Sequence, residues 1–357
     1  MERLRRNEYL MTCPQLKIKY EELLTLQNKF QILNAAFQAM KSNTSDEREL
    51  IATELKKQQD YIAEFINSNF AEILHISIES AKKIFDQGLE QGKTNVIGPV
   101  EIEKAFNLKL NKKEIPKISF SKHELQKAKE MGKYLILRVD KDDHDQPLTM
   151  KGLCDMMMRQ GYDKQKNKTG TKKGNVTSKD HGDSETWWTN DPIPMRWALV
   201  DRKLIKGSVG EDYYQQTRIL KKNVAELFKD KEMPDNYQDA IKEFDDYVKI
   251  KFGTRTDNGI NAIIGGSDWK KYAQELSELK LNQLLRKTPA EELYDELAYY
   301  QTNDERLNRK KYNWTKRLYS SGYLVFIGDF NANGAFVIGS APDKQHDNVG
   351  VYSSYSR

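Results

Sequence analysis

Charged side chains are spread unevenly along this 357-residue chain, and this constrains its architecture more than any single motif does. In residues 312–357 only 7 of 46 positions are Asp, Glu, Lys or Arg, against 104 of the 311 positions before them. High charge is typical of a solvated scaffold, so the last 46 residues are expected to be built differently from the rest. Together with the patterns below, this predicts an α+β fold.

The N-terminal part has the spacing of two helices. Between Leu23 and Met40 the apolar residues recur at intervals of three and four, as along one packing seam of a helix. After a polar break, a second apolar stripe runs from Ile51 to Phe65. These stripes predict an antiparallel helical hairpin within residues 1–92. The alternative is a self-associating coiled coil, through which the chain would form a homo-oligomer.

Turn residues and capping signals divide the remaining chain. Gly and Pro in residues 93–119 predict a linker with one short helix. Residues 120–311 predict a mixed α+β scaffold with several capped helices, including a start at Thr288 followed by Pro and Glu. The Lys-rich stretch 163–185 lacks apolar periodicity and is predicted to be a disordered loop. Residues 312–357 predict a small β unit, alone or completing a fold with 120–311.

The C-terminal composition is typical of a binding surface. From Ser320 to Arg357, 21 of 38 residues are Ser, Tyr, Asp, Asn, Gly or His. Tyr supplies contact area at low entropy cost, and Ser, Gly and Asn supply adaptable hydrogen bonds. The alternative is a small β domain whose loops are merely polar.

From about residue 115 onward the chain resembles a group of uncharacterised proteins from candidate-phylum bacteria with small genomes. The matching segments are Tyr134–Asp140, Pro147–Met150, Trp197–Val200, Asp268–Lys270, Leu279–Leu284, Thr288–Tyr294, Val349–Val351 and Ser356–Arg357. This resemblance covers about two-thirds of the sequence and implies no particular activity.

The C-terminal segment is also similar to the variable segment of proteins diversified by diversity-generating retroelements. Val349–Tyr352 stands where those proteins close on an Ile-Gly-Phe-Arg-like strand. The resemblance implies a C-type-lectin-like fold in which exposed polar residues contact a ligand and do not catalyse. The implied contacts are Asp329, Asn331, Asn333, Asp343, His346, Asp347, Asn348 and Tyr352. The leading hypothesis is therefore a non-catalytic protein that binds a ligand or protein partner.

A second hypothesis is association with nucleic acid. Lysines in the predicted loop could contact phosphates, and two adjacent tryptophans beyond it could stack on bases. The residues concerned are Lys164, Lys166, Lys168, Lys172, Lys173, Trp187 and Trp188. Alternatively, the lysines belong to a solvated loop that binds nothing. The two tryptophans would then be one core residue and one residue at the rim of the core.

A third hypothesis is a metal-dependent enzyme. The carboxylates Asp140, Asp142, Asp143 and Asp145 could supply oxygen ligands for Ca²⁺ or Mg²⁺, although their spacing differs from an EF-hand loop. A solvated acidic loop is the alternative. No histidine or cysteine pair has metal-ligand spacing, and no catalytic triad or dinucleotide fingerprint stands out. A non-enzymatic protein without a cofactor is therefore expected.

Hydropathy and cysteine content give an expectation for location. The sequence has no apolar run of about 18 residues, which predicts no membrane span. The N-terminal residues lack the apolar core of a signal peptide. With only two cysteines, Cys13 and Cys154, a disulfide framework is not expected and a cytoplasmic protein is predicted. The net charge of +5 does not by itself indicate a nucleic-acid partner.

Overall fold

The computed structural model describes residues 14–39, 49, 51–62, 76–161, 184–229, 233–331 and 334–356. Two compact units make up the chain, Met1–Ile76 and Ser77–Arg357. The boundary therefore falls earlier than the end of the predicted hairpin region at residue 92.

The first unit contains two described helices. Helix α1 spans Pro14–Ala39, and residues 51–62 form helix α2. Phe30 and Phe37 of α1 and Leu55 of α2 are half-buried and line a common space of about 620 Å³. The apolar stripes of the sequence thus correspond to helices that contribute side chains to one groove.

The second unit combines eleven described helices with eight strands. In chain order these are α3 (Ile78–Phe85), β1 (Val96–Ile97), α4 (Pro99–Phe106), α5 (Lys122–Glu130), β2 (Lys133–Arg138), α6 (Met150–Arg159), α7 (Thr186–Asn190), β3 (Arg196–Asp201), α8 (Tyr213–Leu227), α9 (Asp235–Phe252), α10 (Asp257–Ile264), α11 (Trp269–Glu278), α12 (Lys280–Leu285), α13 (Pro289–Asn303), β4 (Tyr312–Leu318), β5 (Leu324–Asn331), β6 (Gly334–Ser340), β7 (Val349–Gly350) and β8 (Ser354–Tyr355). The α+β prediction is confirmed.

The first sheet has the strand order β1-β2-β3-β8. Strands β1 and β2 are parallel, and the other neighbouring pairs are antiparallel. Val96 and Ile97 of β1 are fully buried. The prediction of a linker at 93–119 is therefore wrong for these residues, because they complete a sheet edge inside the core.

The second sheet has the order β6-β5-β4-β7. Strands β4, β5 and β6 are antiparallel, whereas β7 is parallel to β4. Residues 349–356 first supply β7 to this sheet and then supply β8 to the first sheet. The predicted β unit 312–357 is thus part of the same compact unit as the preceding scaffold.

Helix α13 packs against strands of both sheets, namely β1, β2, β4 and β5. Its start agrees with the prediction. The Thr288 hydroxyl accepts the Glu291 amide, the Glu291 carboxylate accepts the Thr288 amide, and Pro289 occupies the first turn. Twelve of its 15 residues are buried, so this helix forms the centre of the core.

Candidate functional site

The predicted ligand contact Tyr352 lies in the core. Only 3% of the residue is exposed, and its backbone N–H donates to Oδ1 of Asn313 at 3.0 Å. The Lys287 ammonium lies 5.4 Å from the centre of its ring. The expectation that Tyr352 is exposed is therefore wrong, because the segment carrying it joins the two sheets.

Two other predicted contacts, Asp329 and Asn331, lie at the end of β5 and are half-buried. Asp329 adopts a left-handed backbone with a φ of 45°, and its Oδ1 accepts the Lys310 amide at 3.0 Å. The carboxylate thus already has a structural partner. Asn333 lies outside the described residues.

The remaining predicted contacts lie in the loop between β6 and β7. Asp347 and Asn348 are exposed, as predicted for ligand contacts. His346 is half-buried, and its Nε2 lies 3.1 Å from Oγ of Ser340. The Asp343 side chain is 14% exposed and pairs with the neighbouring Lys344. The seven predicted residues that the structure describes therefore do not converge on one site.

A groove of about 550 Å³ lies at the opposite end of β5 from Asp329. It is bordered by α7 and by the turn between β4 and β5, residues 319–323. We call it the Trp187 groove and define it by Glu185, Trp187, Asp191, Arg317, Tyr319 and Ser320. Its volume falls within the range of about 300–1,000 Å³ that is usual for ligand sites.

Ionic and hydrogen bonds fix the walls of the Trp187 groove. The Arg317 guanidinium donates to both carboxylate oxygens of Asp191 at 2.7 Å. These bonds raise the pKa of Arg317. Across the groove, the Glu185 carboxylate accepts the Ser320 amide at 2.7 Å and the Ser320 hydroxyl at 3.0 Å. Such bidentate contacts give the groove a defined shape.

Two donors in the Trp187 groove have no hydrogen-bond partner among the described residues. They are Nε1 of Trp187 and the hydroxyl of Tyr319, and both atoms are buried. The two rings meet edge to face with centroids 5.7 Å apart. Burial, assisted by the charge of Glu185, raises the pKa of Tyr319 to about 12, so its hydroxyl keeps its proton. An unpaired buried donor costs about 1–3 kcal/mol, which an acceptor on a ligand would recover.

An aromatic pair, of which Tyr323 is exposed and Trp269 half-buried, borders the same turn. The rings of Trp269 and Tyr323 stack with centroids 4.7 Å apart, and Tyr323 is 42% exposed. Gly322, which also lines the groove, has a φ of 93° that allows the tight turn before Tyr323. The composition of residues 320–357 includes this turn, but the predicted ligand contacts were Asn, Asp, His and Tyr residues at other positions of that segment.

The two tryptophans of the nucleic-acid hypothesis do not form an exposed stacking surface. Trp187 and Trp188 are 6% and 2% exposed, and their ring centroids are 5.8 Å apart. The expectation of an exposed tryptophan platform is wrong, because Trp188 packs in the core and Trp187 is a mostly buried part of the groove wall. The lysines of that hypothesis, Lys164, Lys166, Lys168, Lys172 and Lys173, lie outside the described residues.

The acidic loop does not assemble the expected metal ligands. Asp142 is 8% exposed, accepts the amides of His144 and Gln146, and pairs with Arg159. Burial opposes these contacts, but together they lower the pKa of Asp142. Across the described parts of the chain, no group of three or more His, Cys, Asp or Glu is placed to hold a metal ion. The Ca²⁺ or Mg²⁺ site at Asp140, Asp142, Asp143 and Asp145 is therefore not formed in this structure.

A buried group of ionisable side chains surrounds α13, and its members pair with one another. Arg138, which is fully buried, donates to both oxygens of Asp295 at 2.9 and 2.6 Å and to Glu291 at 2.8 Å. Lys287 pairs with Glu292 at 2.5 Å. Each of these groups is at most 3% exposed. Their arrangement is that of a core ion network and offers no surface to a substrate.

No protein-family model, curated protein or solved structure matches the chain significantly. Within the described residues, no helix combines the length and the apolar character needed to cross a bilayer.

Proposed function

We propose that the chain is a non-catalytic binding protein that receives a polypeptide partner at the Trp187 groove and the adjoining Tyr323. The observation that carries the proposal is the pair of unpartnered buried donors on Trp187 and Tyr319. The carbonyl oxygens of a bound peptide could accept hydrogen bonds from these two donors.

The residue types of the groove support protein recognition. Trp, Tyr and Arg are the side chains most enriched at interaction hot spots, and the groove with its rim contains Trp187, Arg317, Tyr319 and Tyr323. The Ser320-Ser321-Gly322 segment adds small polar residues of the kind found in adaptable paratopes. An aromatic, partly enclosed surface of this composition favours binding of an extended chain.

The hydrogen bonds of the groove argue against nucleophilic catalysis. The Ser320 hydroxyl donates to Glu185, but the same carboxylate also accepts the Ser320 amide. The two contacts with Glu185 hold the turn at Ser320 in place. An activated serine nucleophile would instead need a general base that a third group orients. Asp191 and Arg317 likewise satisfy one another.

Four further predictions from the sequence belong to the same proposal. The helices α1 and α2 would form a hairpin that serves as scaffold or oligomerisation element. The C-terminal part would have a C-type-lectin-like fold, and its exposed positions would be diversified. Cytoplasmic location remains a prediction as well.

Peptide selection tests the proposed binding. A random peptide library displayed on phage is selected against the immobilised full chain, and the enriched peptides are measured by fluorescence polarisation. Tyr319→Phe removes only the unpartnered hydroxyl and should weaken binding about tenfold, the equivalent of one hydrogen bond. Tyr323→Ala should weaken it further by removing exposed aromatic area.

Asp347→Ala is the matched control, because Asp347 is exposed but lies outside the groove. Its affinity for the selected peptides should equal that of the unaltered chain. Failure to enrich any peptide, or equal binding by all variants, would contradict the proposal.

A further inference from the structure

A second cavity, of about 360 Å³, is lined by residues of helices α8, α9 and α10. We call it the α8 cavity and define it by Tyr214, Arg218, Lys222, Phe244, Arg255 and Ile260. None of these residues lines the Trp187 groove, so the two are separate sites. The volume lies at the lower end of the range that is usual for small-molecule sites.

Basic side chains from two elements line the α8 cavity. Arg218, Lys221 and Lys222 stand at positions i, i+3 and i+4 of α8, so they share one face of that helix. Arg255 belongs to the loop between α9 and α10. Like charges at positions i and i+4 destabilise a helix, and a bound anion would relieve their repulsion.

Carboxylates neutralise only two of these four cations. Two ion pairs with N–O distances of 2.6 Å line the cavity, namely Arg218–Asp257 and Lys221–Asp245. Neither Lys222 nor Arg255 has a carboxylate partner in the ranges that the structure describes. With four cations and two carboxylates, the lining of the cavity has a net charge of +2.

The protein holds one of the two unpaired cations in position. Nη1 of Arg255 donates to the carbonyl oxygen of Phe252, the last residue of α9, at 2.9 Å. A guanidinium has five N–H donors, and the others have no partner among the described residues. Such a fork can donate two parallel hydrogen bonds to an anion such as phosphate.

Tyr214 adds a neutral donor to the cavity lining. It is only 2% exposed, and no described residue forms a hydrogen bond with its hydroxyl. Burial raises the pKa of Tyr214, and the charges of Arg218, Asp257 and Asp245 also act on that hydroxyl. It therefore lies near the charged side chains of the cavity and keeps its proton at neutral pH. A ligand oxygen would provide the acceptor that this buried hydroxyl lacks.

The wall of the cavity is apolar. Phe244 and Ile260 are 2% and 3% exposed, and Val248 lies beside them in the lining. The Phe244 ring packs against Tyr214 with centroids 6.0 Å apart. An inorganic anion would make no use of this wall, whereas an apolar group on the ligand would cover it.

We infer that the α8 cavity binds a small molecule in which a phosphate monoester is joined to an apolar or aromatic body. A phosphate monoester carries about −1.5 to −2 charges at pH 7, which matches the net charge of the lining. Its oxygens accept hydrogen bonds from Lys222, Arg255 and Tyr214. The body of the ligand lies against Phe244 and Ile260.

Isothermal titration calorimetry of the full chain with 1-naphthyl phosphate tests the class of ligand. The comparison ligands are 1-naphthol, inorganic phosphate and 1-naphthyl sulfate, which lack the charge, the apolar body and the second negative charge, respectively. 1-Naphthyl phosphate should bind at least about tenfold more tightly than each of them. No binding of 1-naphthyl phosphate at up to about 1 mM, or equal affinity for any comparison ligand, overturns the inference.

Substitutions test the location of the site. Lys222→Gln and Arg255→Gln each remove an exposed, unpaired cation and should weaken binding about tenfold, the equivalent of one hydrogen bond to a charged group. Tyr214→Phe removes only the hydroxyl and should weaken binding about fivefold.

Lys242→Gln is the matched control, because Lys242 is an exposed lysine of α9 that does not line the cavity. Its affinity for 1-naphthyl phosphate should equal that of the unaltered chain. Unchanged affinity in the three cavity variants, or an equal loss in Lys242→Gln, would place the ligand elsewhere and overturn the inference.

Discussion

The Ser353 hydroxyl lies 2.6 Å from the Lys133 ammonium, although 220 positions separate the two residues. The same hydroxyl lies 2.7 Å from Oδ2 of Asp201, which is the ion-pair partner of Lys133. All three residues are nearly fully buried. The contact fixes the segment between β7 and β8 to paired residues of β2 and β3.

Ser353→Ala should therefore destabilise the fold. The substitution leaves a buried ammonium and carboxylate each without one partner, which costs about 1–3 kcal/mol. Urea denaturation monitored by circular dichroism measures the change in the free energy of unfolding. Ser321→Ala is the control, since Ser321 is exposed and should change stability little. Equal stability of the two variants would show that the contact contributes nothing.

Arg138→Met should be more harmful, because it leaves Asp295 and Glu291 as buried charges with fewer partners. Breaking one side of a buried ion network costs about 3–5 kcal/mol. The comparison is Arg196→Met, which also removes a bond to Glu291 but from a side chain that is 31% exposed. Thermal unfolding should show the larger loss for Arg138→Met. An equal loss of stability in the two variants would contradict the expectation that burial makes the Arg138 ion pairs more important.

Stability should also fall as the pH rises through the neutral range. Burial, with the nearby charge of Glu292, raises the pKa of Glu296 from 4.5 to about 8. Between these values the folded chain holds a proton that the unfolded chain has released. Its contribution is fully present below pH 4.5 and is lost as the pH approaches 8, with a slope of at most about 1.4 kcal/mol per pH unit.

Glu296→Gln should reduce this slope, because an amide resembles the protonated acid and does not titrate. Urea denaturation at several pH values between 5 and 8 measures the slope of the unfolding free energy. The exposed Glu305→Gln is the control and should retain the slope of the unaltered chain. If Glu296→Gln retains it as well, Glu296 is not the group responsible.

Tyr319→Phe should leave stability unchanged or raise it by up to about 1 kcal/mol, because the lost hydroxyl has no partner in the described structure. Tyr294→Phe offers a matched contrast, since the Tyr294 hydroxyl donates to the Leu137 carbonyl at 3.0 Å. That variant should lose about 1 kcal/mol. Denaturation midpoints compare the two, and a loss for Tyr319→Phe would reveal a partner for its hydroxyl.

Local signals in the sequence were sufficient for several elements. The cap at Thr288 starts α13 as predicted, and the two N-terminal apolar stripes correspond to helices α1 and α2. These elements depend on residues within one or two turns of the chain. Such interactions leave a periodicity that a single sequence displays.

Long-range pairing accounts for what the sequence did not reveal. Strand β1 has only two residues, which is too short for a periodic pattern, and it depends on β2 for its hydrogen bonds. Tyr352 is polar enough to predict exposure, but its segment enters both sheets. The Trp187 groove joins residues more than 100 positions apart, such as Asp191 and Arg317. The local spacing of residues in a single sequence does not reveal contacts between such distant positions.

Helix α13 packs against both sheets, so the opening of one sheet should be coupled to the opening of the other. Arg138 on β2 requires the carboxylates of α13, and the same helix covers β5. Neither sheet can open widely without exposing unpaired charges on the helix. Amide protons of β2 and β5 should therefore exchange with solvent through the same opening event and with the same free energy. The central helix makes two separate sheets behave as one cooperative unit.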